Sequence, residues 1–278
     1  MAESKYVEKK TSRGRTEQER ALALRPDSDR PDFAADEQWV RQVRGDLQKI
    51  VPFLRRKCGI EFRGRVLEIG AGGAWFSAEL SKLPNVVEIV ATDISPRLLR
   101  EQAPRVLELL GAHQAKITRM TGDCHKLDFP DNHFDYVVCA TVLHHAANIV
   151  QVLREAKRVL KPGGQFVAIR EPVWPLVKIK SRAKMLARLL ATGVKERFYT
   201  LSEYKEFFKQ AALPVEVKRV NLSRGWKYYV DKMVNGLTHA RYAFVGTKRG
   251  KTEAGGGPLR NPARRTAGAG AAPRASRT

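Results

Sequence analysis

The chain has 278 residues, 43% of them hydrophobic, which is enough to bury one large domain or two small ones. Its 51 basic and 29 acidic side chains give a net charge of +22, and its cysteines, Cys58, Cys124 and Cys139, are too few and too scattered for a disulfide framework or a zinc-ligand cluster. No apolar run nears the ~18 residues of a membrane span, and the first thirty residues are charged rather than built like a leader peptide, so the expectation is a cytoplasmic protein without disulfides or bound metal.

In chain order, residues 1–32 are polar, charged and proline-containing, and read as a disordered arm. Trp39, Val43, Leu47, Ile50 and Leu54 recur at helical spacing and predict a helix over 36–57. Apolar runs at 65–69, 87–93, 116–121, 134–140 and 165–171 then read as buried strands. Helices are predicted between them at 74–83, 96–110 and 146–160; Ser95-Pro96 starts the second and Lys161-Pro162-Gly163-Gly164 stops the third. A helix at 201–211 and strands at 215–222 and 241–248 follow. Alternation of this kind predicts one α/β domain over 33–249, a doubly wound, mostly parallel, seven-stranded sheet with helices on both faces and its binding core at 60–171. Residues 172–200 form an insertion with Leu176, Ile179, Ala183, Leu186 and Leu190 on one helical face and basic residues on the rest. It reads as a lid over the acceptor, as a packing helix, or as a contact with anionic lipid at a membrane surface. Residues 250–278, rich in Gly, Ala, Pro and Arg, read as a disordered basic tail.

Charge is uneven along this plan. Residues 171–278 hold 23 basic and 7 acidic side chains, a net of +16, which suits an anionic partner such as nucleic acid.

The first predicted strand runs straight into glycines, in VLEIGAGGAWF at residues 66–76. In a doubly wound sheet a ligand lies beyond the carboxyl ends of the strands at the topological switch point, and glycine there permits positive φ and close approach to the backbone. The dinucleotide fingerprint GxGxxG would need glycine where Trp75 stands, and no GK[ST] follows to make a phosphate-binding loop. Glu68, buried within an apolar run, calls for a partner such as a cofactor ammonium. Asp93, ending the next strand, is placed to accept hydrogen bonds from ribose hydroxyls.

The E-x-G-x-G pattern at Glu68, Gly70 and Gly72 resembles the class I S-adenosylmethionine-dependent methyltransferases, most closely the type 11 family. The likeness continues through Thr121-Gly122-Asp123-Cys124, Leu127 to Asp135, Ala140-Thr141-Val142-Leu143-His144-His145 and Val159-Leu160-Lys161-Pro162-Gly163-Gly164. One departure is Ala74, standing where the family has its third glycine, with Gly73 in the variable slot. The resemblance implies S-adenosyl-L-methionine as cofactor, held by Glu68, Gly70, Gly72, Gly73, Asp93, Ile94, Asp123, Cys124, Ala140 and Thr141. Asp123 would meet the adenine amino group and the backbone amide of Cys124 a ring nitrogen.

Methyl transfer from a sulfonium needs alignment and exclusion of water more than covalent chemistry, and a base only where the acceptor loses a proton. His144 and His145 follow the strand that faces the methyl group and are candidates for that base; Glu171, ending strand five, is a third. Trp226, Tyr228 and Tyr229 read either as aromatic wall of the same pocket or as core. The expected acceptor is a small molecule or a lipid- or glycan-linked group methylated at oxygen. The basic C-terminal part keeps an RNA or protein acceptor open, and a non-catalytic partner with the same fold is the remaining alternative.

Overall fold

The computed structural model describes residues 3–8, 37–173, 199–222, 226, 229 and 241–250, with no account of side chains at 37–44 or 241. Most of the N-terminal arm, the interior of the 172–200 insertion, Tyr228 and the tail beyond Gly250 lie outside the described residues.

All seven expected strands are present: β2 (Gly64–Ile69), β3 (Val86–Asp93), β4 (Ile117–Thr121), β5 (Phe134–Ala140), β6 (Leu160–Pro172), β7 (Val215–Val220) and β8 (Arg241–Thr247). An eighth, β1 (Lys5–Val7), joins them, and the order across the sheet is β1-β4-β3-β2-β5-β6-β8-β7. Only β8 pairs antiparallel with its neighbours. The strand order reverses between β2 and β5, which puts the switch point beside the glycine turn.

Helices cover both faces because adjacent strand residues point opposite ways. Val66, Val138 and Val167 pack on one side with Leu47, Ile50 and Leu54 of α1 (Glu37–Cys58), Phe76 and Leu80 of α2 (Trp75–Ser81), and Val106 of α3 (Ala103–Leu109). Leu67, Val137 and Phe166 pack on the other with Val152 and Leu153 of α4 (Ile149–Val159) and Tyr204 and Phe208 of α5 (Leu201–Gln210).

Two details depart from the sequence expectation. The helix predicted over 96–110 opens as a wide π turn, Leu98–Gln102, before α3 begins. Pro104, in the first turn of α3, has no N–H for an i→i−4 bond, and a π turn just ahead of it absorbs that loss.

Residues 3–8, expected within a disordered arm, instead extend the sheet. Arg119 of β4 is buried (7% exposed), and its guanidinium donates to the Ser4 hydroxyl, the Ser4 carbonyl and the Leu99 carbonyl. A buried guanidinium needs acceptors all round. Ser4 supplies two, and the Tyr6 ring lies under both Arg100 and Arg119. The signal was in the sequence: an arginine amid the apolar positions of a strand demands a covering segment.

Asp135 holds the far edge of the sheet. Its carboxylate accepts from Arg65 N at 2.8 Å and from Lys161 Nζ at 2.8 and 2.9 Å, while Gly64 leaves it room, since a Cβ there would lie 2.3 Å from Asp135 Oδ2. Partial burial opposes ionisation, but these donors prevail and hold the carboxyl below its ordinary range. A depressed carboxyl stabilises the fold above the unfolded-state pKa and loses that contribution as pH falls through the folded one. Asp135→Ala should therefore cost about 1–2 kcal/mol at pH 7 and much less near pH 3, as read from urea unfolding at the two pH values.

Candidate active site

The turn after β2 is built for close approach. Gly70 (φ +62°) and Gly72 (φ +51°) adopt the left-handed region. A Cβ on Gly70 would strike the Val142 methyls at 2.6 and 2.7 Å, whereas Gly72 has open space where a side chain would stand. One glycine thus admits the neighbouring loop, and the other faces the crevice. Ala74 also lies in the left-handed region (φ +57°), as the N-cap residue of α2, at an intrinsic strain of about 1–2 kcal/mol. It is fully buried, so its methyl joins the core and offsets part of that cost.

Carboxylates hold this turn in shape. Asp93 Oδ2 accepts from Gly72 N at 2.8 Å and Oδ1 from Ser95 N at 2.8 Å, joining the tip of β3 to the turn. Thr92 Oγ1 donates to the Glu68 carbonyl at 2.9 Å, and Ala71 N donates to the Thr92 carbonyl at 2.8 Å. Glu68, from which an ammonium contact is expected, has its structural partner inside the fold. It is 2% exposed, and Oε2 accepts from both the backbone N–H and the hydroxyl of Ser77 in α2. Burial raises its pKa to about 7 against the opposing Ser77 hydrogen bonds, with Asp93 adding to the rise.

At the tip of β4, Asp123 Oδ1 accepts from His125 N at 2.8 Å and lies 2.9 Å from His125 Nδ1. Asn148 N donates to His125 Nε2 at 3.3 Å, which assigns the ring proton to Nδ1. Among the described residues, Asp123, Cys124 and His125 form the one grouping whose ligand-type atoms fall within 4.8 Å of one another. Both His125 ring nitrogens are engaged, so the grouping is a hydrogen-bonded loop tied to the cap of α4, where Gln151 N donates to Asn148 Oδ1. Cys124 stands half-buried beside it. Cys139 is fully buried, and desolvation holds its thiol far above the ordinary range, as fits a packing role.

The tips of β5 and β6 bring a histidine and a carboxylate together. Glu171, 1% exposed, accepts from Val142 N at 2.8 Å and Leu143 N at 3.1 Å through Oε1, and from His144 N at 3.4 Å through Oε2. The same Oε2 lies 2.9 Å from His144 Nδ1. A carboxylate with these backbone donors only accepts, so Nδ1 of His144 carries the proton and Nε2 is left as the basic nitrogen. Arg170 (φ +61°) is the extra residue of a bulge in the β6–β8 pairing, and Thr141 (φ +62°) is also left-handed. A β-branched residue there is a true outlier, the kind of strain that collects at working sites.

His145 packs its ring 3.9 Å from that of His144 while its side chain opens to the surface. Partial desolvation, joined by His144 and opposed by Glu171, lowers its pKa to about 4, so it is neutral at pH 7. The candidate residues therefore fall on one edge of the sheet, at the carboxyl ends of β2 to β6, with Ile94 directly after β3 and Ala140 and Thr141 at the end of β5. Val173 and Tyr199 form an isolated β-bridge. Trp226 and Tyr229, expected as wall or core, are 71% and 72% exposed.

Comparison with known proteins agrees with this architecture. Residues 67–168 match the family described as methyltransferase domain, type 11. The chain is 38% identical over 111 residues to a demethylmenaquinone methyltransferase of Deinococcus radiodurans, covering 39% of this chain and 43% of that protein. It is 36% identical over 126 residues to a ubiquinone/menaquinone biosynthesis C-methyltransferase of Pseudomonas putida, covering 45% and 48%. It thus spans less than half the length of these curated relatives. The fold is shared with a phosphoethanolamine N-methyltransferase of Haemonchus contortus solved with S-adenosyl-L-methionine (TM-score 0.61, 16% identity, 85% of this chain and 61% of that one). It is shared too with a methyltransferase of Bacillus halodurans (TM-score 0.55, 20% identity, 74% and 99%). A doubly wound sheet with a glycine turn and acidic strand tips defines the class I, S-adenosylmethionine-dependent methyltransferase fold. The match to the type 11 family model lies within the core of this sheet, from β2 to β6.

Enclosure of Glu68 makes a measurable claim. A carboxyl with a raised folded pKa stabilises fully below its unfolded pKa, and that contribution is lost as pH rises through about 7. In the ligand-free protein this is worth about 3 kcal/mol between pH 4 and pH 8. Glu68→Gln should flatten that part of the pH dependence of unfolding free energy; parallel profiles for the two proteins would show that the carboxyl is not enclosed in this way.

Proposed function

We propose that the protein transfers a methyl group from S-adenosylmethionine to a hydroxylated small-molecule or lipid-linked acceptor, with His144 as general base oriented by Glu171. The observation that carries this reading is the buried His144–Glu171 pair, fixed by three consecutive backbone donors at the strand tip beside the glycine turn.

The residues present fit the cofactor. Gly72 leaves an open face on the turn, and carboxylates end β3 at Asp93 and follow β4 at Asp123, suited to hydroxyl and amino groups respectively. Gly70 to Gly73, Asp93, Ile94, Asp123, Cys124, Ala140 and Thr141 would hold it, with Glu68 bracing the turn from beneath. When bound, the cofactor supplies a methyl group already activated on a sulfonium.

This chain's task is then to align the acceptor and take its proton. Nε2 of His144 accepts the hydroxyl proton, and Glu171 stabilises the resulting imidazolium through Nδ1. Deprotonating a ring hydroxyl also makes the adjacent ring carbons nucleophilic, so the same base serves transfer to oxygen or to carbon; in the second case the methylated carbon then sheds its own proton to solvent and the ring hydroxyl is restored. Both sequence relatives above are quinone-pathway enzymes, one named as a C-methyltransferase, which favours carbon of a hydroxylated ring as the first reading. Transfer to oxygen is the second. The cytoplasm is the proposed location, and among the described residues no helix is long and apolar enough to cross a membrane.

Three variants separate the roles. His144→Ala should lower kcat by about 10²–10⁴ while calorimetry shows cofactor affinity unchanged. His145→Ala should leave the acidic limb of the pH–rate profile in place, because its neutral ring does not titrate there. Asp93→Ala should weaken cofactor binding about 10- to 100-fold, the loss of a charged hydrogen-bond acceptor. Unchanged cofactor affinity in Asp93→Ala would remove the ribose assignment; carbon NMR of the product made with labelled methyl donor would decide between a C–CH3 and an O–CH3 group.

A further inference from the structure

The edge of the sheet opposite the crevice carries a second concavity, of about 590 Å³. Lys157 from the last turn of α4, Lys205 and Lys209 from α5, and Arg249 just after β8 surround it, over an apolar floor that includes Leu213 and Pro214. Its place follows from topology. α4 and α5 end at the amino-terminal edge of the parallel strands, and β8 ends there too, with Thr247 opposite Gln165 near the start of β6. The cleft shares no residue with the crevice.

We propose that this cleft binds the phosphodiester backbone of a single-stranded nucleic acid, docking the protein away from its methyl-transfer site. Four cations converge on it, and the pair that Glu206 makes with Lys209 is long (3.7 Å), with the lysine 80% and the glutamate 50% exposed. Such a pair is weak and yields readily to a phosphate. In the sequence, residues 251–278 hold six Lys or Arg against one Glu, a charge complementary to a polyanion.

A membrane surface fits less well. Interfacial sites insert apolar side chains between headgroups, and the large exposed ones among the described residues, Val87, Leu109, Trp226 and Tyr229, all lie outside the cleft. Because aromatic stacking platforms are also missing from its lining, recognition would rest on the backbone and tolerate any sequence.

The test uses the intact chain and a labelled oligouridylate of roughly twelve nucleotides, followed by fluorescence anisotropy across salt concentrations. Two quadruple variants remove equal charge: Lys157→Ala, Lys205→Ala, Lys209→Ala and Arg249→Ala in the cleft, and Lys49→Ala, Arg56→Ala, Lys57→Ala and Arg105→Ala elsewhere. Since each phosphate contact on a single strand contributes about 0.7 to the slope of log affinity against log salt, the cleft variant should lose about 3, and the control less than 1. Affinity at low salt should fall at least about tenfold in the cleft variant alone. Glutamine at the same four positions preserves side-chain length and should give the same loss, should the alanine protein melt early. Equal losses in both variants, or an unchanged slope in the cleft variant, would overturn the proposal. So would a cleft variant that loses binding to phosphatidylglycerol vesicles while keeping oligouridylate.

Discussion

One buried carboxylate organises the candidate active site. Glu171 is almost wholly removed from solvent, a position that is costly for an ionised group unless donors surround it. The loop after β5 supplies them in sequence, Val142 N, Leu143 N and His144 N, and the His144 ring closes the set. Those bonds fix the loop as a short 3₁₀ turn, Leu143–His145, and fix which histidine nitrogen is basic. The two left-handed residues beside it follow from the same demand. Arg170 bulges out of β6 immediately before Glu171, and Thr141 bends the chain out of β5 so that three successive N–H groups face one side chain.

Val142 ties this arrangement to the cofactor half of the site. Its N–H donates to Glu171, while its methyls occupy the space over Gly70 that any larger residue would need. Gly70 lies at the tip of β2, the strand paired with β5 at the switch point. A side chain at 70 would therefore push on the loop that aims His144, and a shift of Glu171 would loosen the turn from the other side. Donor geometry and proton chemistry meet in one van der Waals contact, which gives the glycine a structural reason that conformational freedom alone does not supply.

Much of this was readable from the residues. Strand boundaries fell within a few positions of those predicted, because buried parallel strands leave continuous apolar runs bounded by glycine and proline. The acidic tips were found because a carboxylate closing an apolar run has few other uses. What the pattern hid was pairing. Glu68 looked available for an ammonium, yet its partner is Ser77 nine residues on, and only the fold brings a helix N-terminus over that strand. Which histidine faces Glu171 depends on a turn of three residues, too short to carry periodicity. β1 escaped for the same reason, although Arg119 announced that something polar must cover it.

The sheet's polarity accounts for the two chemically unlike edges. In a parallel α/β sheet every connecting helix starts near the carboxyl tips and ends near the amino tips. Basic residues favour helix C-termini because they complement the dipole. Here they crowd those last turns: Arg55, Arg56 and Lys57 in α1, Lys157 and Arg158 in α4, Lys209 in α5. Carboxylates gather at the opposite edge: Glu68, Asp93, Asp123 and Glu171. A local preference repeated helix by helix thus sums to a molecule acidic at its crevice and basic beneath it. The cleft between α4, α5 and β8 lies at the end of the strands opposite the candidate site, so the proposed docking and the proposed methyl transfer draw on different groups.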